Sequence, residues 1–292
     1  MEKAYVYALA ANFSFAVGVQ FFTHYARNLS SSWVNSFKAL AAMILFLATI
    51  LLSGGFHSVN PQFAALFMVS GFVGLGAADL FIIKSFSLMG PGRTMMLFGF
   101  QPLIIGVFSY FLLGQSIDSR KFWAVFFFIA CLFVFSLESY KKNGHWNIRA
   151  GAFALLGVAL DGIGVVITRY SFNASPQLGT TEGNFYRAAG GIIFFVLLSR
   201  IRPFGFFRGL NKLGKAGVFW IAAGSFAGTY LSLVFYLAAV RQAGALAAVS
   251  GIAITGTIFA AIFECIMERR LPSVYLAAAF VLFFAGMRFL LF

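Results

Sequence analysis

The chain has 292 residues, 61% of them hydrophobic and only 10% charged, with a mean hydropathy of +0.91. Soluble domains carry about 25% charged residues, so this composition excludes a soluble globular protein and defines an integral membrane one. The net charge of +13 would point to nucleic acid in a soluble chain. Here the basic residues sit between apolar runs, facing anionic lipid headgroups, and no nucleic-acid partner is expected.

A helix needs roughly 20 mostly apolar residues to cross a hydrocarbon core of about 30 Å, because its backbone groups find partners only within the segment. Apolar runs of this kind cover residues 4–23, 33–52, 63–86, 94–113, 122–137, 150–170, 185–198, 217–240, 245–266 and 274–291. They are continuous, unlike the alternating strands of about 10 residues that build a membrane barrel. The first run contains Asn12, Ser14 and Gln20 and has no clear cleavage site, which predicts a retained helix. Cys131 and Cys265 are the only cysteines, both inside apolar runs, and are expected to be packing residues. His24, His57 and His145 show no ligand spacing, so no metal and no cofactor are expected. No Gly-rich loop ending in Lys-Ser or Lys-Thr is present, which argues against ATP-driven work by this chain alone.

The runs fall into two related halves. Residues 70–115 and 224–268 share a Gly-studded apolar run, a short break (Gly90-Pro91-Gly92 or Ala243-Gly244) and a second run with a weak point halfway along, at Gln101-Pro102 or Thr255-Gly256. Asn35-Ser36-Phe37-Lys38-Ala39 likewise matches Asn184-Phe185-Tyr186-Arg187-Ala188, which sets Lys38 opposite Arg187 (187 − 38 = 149). An odd number of helices per copy forces the copies to enter the membrane in opposite directions. The reading is therefore an all-α integral membrane protein of ten transmembrane helices in two inverted five-helix repeats, 1–143 and 144–292. Such a plan puts a substrate site near the midplane, between the repeats.

This pattern resembles the drug/metabolite transporter superfamily, in its ten-helix branch of two EamA-type repeats. The resemblance rests on Lys38 and Arg187 early in the second helix of each repeat, on Gly90-Pro91-Gly92-Arg93 leading to Pro102, and on Leu113-Gly114-Gln115 and Ile266-Met267-Glu268. Gln115, Thr255 and Lys38 depart from the Glu, Pro and Arg usual at those places. The resemblance implies secondary active transport, with export of small metabolites such as amino acids by alternating access. It also implies a first helix of the second repeat that lines a central cavity, and termini in the cytoplasm. The charge count opposes that orientation, with 7 Lys and Arg on the face of the termini and 14 on the other. The positive-inside rule would then put the termini outside. The expected setting is the inner or plasma membrane, with a small-molecule substrate, lipids and protons as partners and a monomer sufficient.

An ionisable side chain deep in a membrane costs about 2.5–3.5 kcal/mol on insertion scales and marks a function or a partner. Asp79 and Asp161 are the two such acids, each readable as a proton carrier or as a structural acid, with Lys84 or Arg93 as the expected partner of Asp79. Lys38 and Arg187 can bind an anionic group or snorkel to the interface, and their repetition favours snorkelling or capping. Glu264 and Glu268 are expected to share a solvated helix end. The remaining cavity candidates are Asn12, Gln20, Gln101, Tyr186, Tyr230, Tyr236 and Thr255, with Ser250, Thr229 and Ser232 as further polar groups. The 40 Phe residues are spread over almost every run and are expected to face lipid or pack between helices. An exchanger of anionic or phosphorylated metabolites, using Lys38, Arg187 and Lys84, is the alternative. A lipid-modifying enzyme finds no support, because no His-Asp, Ser-His or metal constellation is present.

Overall fold

A computed structural model describes residues 2–114, 121–143, 147–243, 246, 249, 252, 254–269 and 271–291. Every regular element among them is helical. The helical rods are α1 (Glu2–Asn28), α2 (Ser31–Leu52), α3 (Pro61–Met89), α4 (Pro91–Leu112), α5 (Lys121–Asn143), α6 (Ile148–Ala174), α7 (Thr180–Ile201), α8 (Phe206–Gln242), α9 (Ile254–Met267) and α10 (Val274–Leu291). Among the described residues, α1 to α4 and α6 to α8 are long and apolar enough to cross a membrane by length and composition. Gln115, Gly244, Ser250 and Arg270 lie outside the described residues.

Local chemistry explains where the rods begin and bend. Ser30 accepts the N–H of Trp33, Asn60 accepts that of Gln62 ahead of Pro61, and Asn147 accepts that of Ala150, each satisfying a donor left free at a helix start. Gly90, at φ 87°, takes a conformation that L side chains rarely adopt and so makes the turn from α3 into α4 possible. The turn is sealed from outside its own sequence. Glu264 on α9 accepts the N–H of Gly92 at 2.6 Å and is buried, which replaces the solvated helix end expected for it. Glu268 is exposed and lies 3.7 Å from Arg27. In α8 the chain leaves helical geometry at Gly214, so a short stretch after Phe206 lies apart from the main rod.

The halves pack as exchanged copies of one another. α1 lies on α8 and α9, while α6 lies on α3 and α4; α2 lies on α7 and α8, while α7 lies on α2 and α3. α4 meets α9, and α5 meets α10. Small residues permit the closest crossings. A Cβ on Gly18 would sit 2.3 Å from the Gly228 Cα, and one on Gly164 would sit 3.2 Å from the Gly74 Cα, so α1 crosses α8 at the point matching the crossing of α6 on α3. Each crossing falls on a π-helical turn, Phe72–Ala78 in α3 and Phe226–Leu231 in α8 (226 − 72 = 154). Phe residues fill both expected roles. Phe128 and Phe283 are buried between α5 and α10, whereas Phe111 and Phe126 face outward. Cys131 on α5 and Cys265 on α9 are buried in the hydrophobic cluster that also holds Phe128 and Phe283.

Candidate functional site

The two π turns position the polar interior. A π turn inserts an extra residue into the helical register and is frequent at functional sites. In α3 it ends at Ala78, so Asp79 starts the next helical stretch with its side chain turned toward α2. There the Lys38 Nζ meets the Asp79 Oδ2 at 2.5 Å, with the Lys38 residue only 3% exposed and its Nζ 5.2 Å from the centre of the Phe22 ring. Asn35, one turn earlier on α2, donates to the Asp79 carbonyl at 2.9 Å. Snorkelling is thus overturned for Lys38, which turns inward because its acid partner lies in the core. Lys84 is exposed, and Arg93 donates instead to Glu138 at 2.7 Å. Neither is the partner of Asp79.

Arg187 also overturns the snorkelling expectation, since it is 1% exposed. Its Nε and Nη1 make no hydrogen bond. A Cβ built on Gly74 would touch both the Arg187 Nη2 at 3.4 Å and the Asp161 Oδ1 at 3.5 Å, so the glycine leaves room for the two groups to flank the same spot. Asp161 accepts from the Gln101 Nε2 at 2.5 Å. That contact follows from a break in α4. A 3-10 turn, Leu97–Phe100, precedes Pro102 and aims Gln101 across to α6.

These groups surround a cavity of about 90 Å³. One water needs roughly 10–15 Å³ by this kind of measure, so the space suits a small solute. Of the candidates, Asn12, Asp79, Gln101, Asp161, Arg187 and Tyr236 line it, contributed by α1, α3, α4, α6, α7 and α8. Lys38, Thr229, Ser232 and Leu233 line it as well, with apolar walls from Phe15, Ile82, Met95 and Phe98. The Oγ1 of Thr229 is buried without a hydrogen bond.

Four candidates lie elsewhere. Gln20 donates to the Ala260 carbonyl at 3.1 Å and borders a separate polar pocket with His24, Arg27 and Glu264. The hydroxyl of Tyr230 is 2.7 Å from the Thr49 Oγ1, and its ring stacks on Phe226. Tyr186 packs against Phe56 and Phe185. Thr255 turns back onto its own helix, where its Oγ1 donates to the Ile252 carbonyl at 2.9 Å. The apolar wall residues carried no signal in the sequence, where Phe15, Met95 and Phe98 read like any other membrane-helix residue.

Fold and site together define a multi-pass helical membrane protein with a charged cavity lined by several of its helices. Residues 2–137 match the EamA-like transporter family, a family of small-molecule membrane transporters. A solved crystal structure shares the fold with a TM-score of 0.72 at 13% identity, covering 99% of this chain and 96% of its own. Among curated proteins, no sequence matches the chain.

Proposed function

We propose that the chain is a secondary active transporter that exports small metabolites such as amino acids or related compounds by alternating access. It would do so between two five-helix halves, residues 1–143 and 144–292, as a multi-pass protein of the inner or plasma membrane. The observation that carries this reading is the central cavity, which α1, α3 and α4 of the first half and α6, α7 and α8 of the second enclose together. Rocking one half against the other opens such a cavity to one side at a time. The closely packed glycine crossings between α1 and α8 and between α3 and α6 supply surfaces for that motion.

Of the two acids, Asp161 is the better proton carrier. Asp79 is held by Lys38, whereas among the described residues the carboxylate of Asp161 is hydrogen-bonded to the neutral Gln101. The alternative, an exchanger of phosphorylated metabolites, loses support because two of its three cations do not face the cavity as free charges. Lys38 is neutralised by Asp79, and Lys84 points outward. The test is counterflow in reconstituted liposomes, with pooled metabolites loaded inside and exchange scored by mass spectrometry. Exchange of small zwitterions supports the reading. Exchange confined to phosphorylated anions favours the alternative, and no exchange by folded protein overturns transport.

A further inference from the structure

The repeat leaves one cation without the counter-ion that its twin possesses. In the first half Asn35 donates to the Asp79 carbonyl, and in the second Asn184 donates to the Leu233 carbonyl, both at 2.9 Å. The spacings agree with the rest of the duplication: 184 − 35 and 187 − 38 both give 149, while 233 − 79 and 226 − 72 both give 154. Lys38 and Arg187 are therefore equivalent, and so are Asp79 and Leu233. Lys38 has its acid at 2.5 Å, whereas the position in the second half that matches Asp79 holds an apolar leucine. Leu233 lines the cavity.

We propose that the substrate supplies the missing acid: Arg187 is the specificity residue that binds a single carboxylate on the transported solute, in the place that Asp79 occupies beside Lys38. This deepens, and rests on, the transporter reading. Two further observations point the same way. The Nε and Nη1 of Arg187 are buried without acceptors, and the unbonded Thr229 Oγ1 gives the same cavity a second donor. A guanidinium presents its N–H groups as a planar fork matched to a carboxylate. Charge decides between carboxylate and phosphate. With Lys38 and Asp79 cancelling, one cation, Arg187, and one acid, Asp161, remain in the cavity. A zwitterion matches that pair, its carboxylate on Arg187 and its ammonium facing Asp161, while a dianionic phosphate would oppose Asp161 with too few cations.

The test uses the full-length protein in liposomes. It exchanges alanine, threonine and valine, each set against its carboxamide and against the amine lacking the carboxyl group, with glycerol phosphate as a further competitor. The parent protein is expected to exchange the carboxylates and to reject the amides and amines. Leu233→Asp, which builds an internal counter-ion for Arg187, is expected to weaken carboxylate binding roughly 30-fold or more, as loss of a charge-assisted buried pair would. Its thermal unfolding is expected to stay at or above that of the parent. Arg187→Lys keeps the charge but loses the fork, and is expected to weaken carboxylates while remaining folded.

Exchange of amides or amines as readily as of carboxylates would overturn the role of Arg187 and leave transport standing. Competition by glycerol phosphate as strong as by the amino acids would overturn the single-carboxylate assignment. Undiminished exchange in a folded Leu233→Asp variant would overturn the counter-ion argument. No exchange of any solute by the parent would overturn the transporter reading and the inference with it.

Discussion

Removing one member of the Lys38–Asp79 pair should destabilise the fold far more than removing both. The pair is 2.5 Å long, and its members are 3% and 8% exposed, so water cannot compensate a charge left behind. Breaking a buried pair from one side costs about 3–5 kcal/mol, because the remaining charge is stranded, whereas replacing both ions by apolar groups of similar volume is about neutral or even stabilising. In Asp79→Asn, Lys38 would retain only the face of Phe22 at 5.2 Å, and in Lys38→Met the Asp79 carboxylate would lose its only cation within ion-pair distance among the described residues. Each single variant should therefore lose about 3–5 kcal/mol, and the double variant Lys38→Met/Asp79→Leu should recover most of that loss. Reversible unfolding in mixed micelles, followed by tryptophan fluorescence, measures it, and the buried Trp33 on α2 is a reporter close by. Single variants within about 1 kcal/mol of the parent, a surface-pair value, would show that no buried charge is stranded. So would a double variant no more stable than either single.

Further outcomes follow from the packing and the site. Gly71→Ala should cost about 1–3 kcal/mol, because its Cβ would fall 1.8 Å from the Arg187 carbonyl oxygen and push α3 off α7. Gly151→Ala, whose Cβ meets nothing within 4 Å on α6, should be neutral or stabilise by up to about 1 kcal/mol, and melting of the two variants side by side checks the contrast. Glu182 holds the N–H of His57 at 2.6 Å and that of Gly179 at 2.9 Å, so Glu182→Ala should cost about 1–3 kcal/mol. His57→Ala removes only an exposed ring from that carboxylate and should cost about 0–1 kcal/mol in the same measurement. Asp161→Asn should abolish uphill transport driven by an imposed pH gradient, while exchange persists in weakened form because the ammonium loses its acid; uphill transport at the parent rate would rule out Asp161 as the proton carrier.

The membrane character was legible because it is a long-range average over composition. Lys38 and Arg187 stood out as a matched pair through the likeness of the segments around them. Their destinations were not legible, because the partner of Lys38 lies 41 residues away on another helix and becomes a neighbour only once α2 crosses α3. Reasoning from sequence proximity pointed to Lys84 and Arg93, and the fold turns one outward and gives the other to Glu138. The tyrosines of α8 show a second limit. Tyr230 lies inside the π turn and Tyr236 beyond it, so an ordinary helical register cannot assign their faces, and only Tyr236 reaches the cavity. Glu264 read as a helix-end residue because nothing in its own segment shows that the Gly90 turn docks on it.

The central claim is that one cavity between the halves is reached from both sides of the membrane in turn. Its most direct test places a single cysteine at Ser232, which lines that cavity and is 7% exposed, in protein whose Cys131 and Cys265 have been replaced by alanine. A membrane-impermeant maleimide is then applied from either side of oriented vesicles. Alternating access predicts labelling from both sides, slowed on each when transported solute is present, and labelling from one side alone under every condition would contradict it.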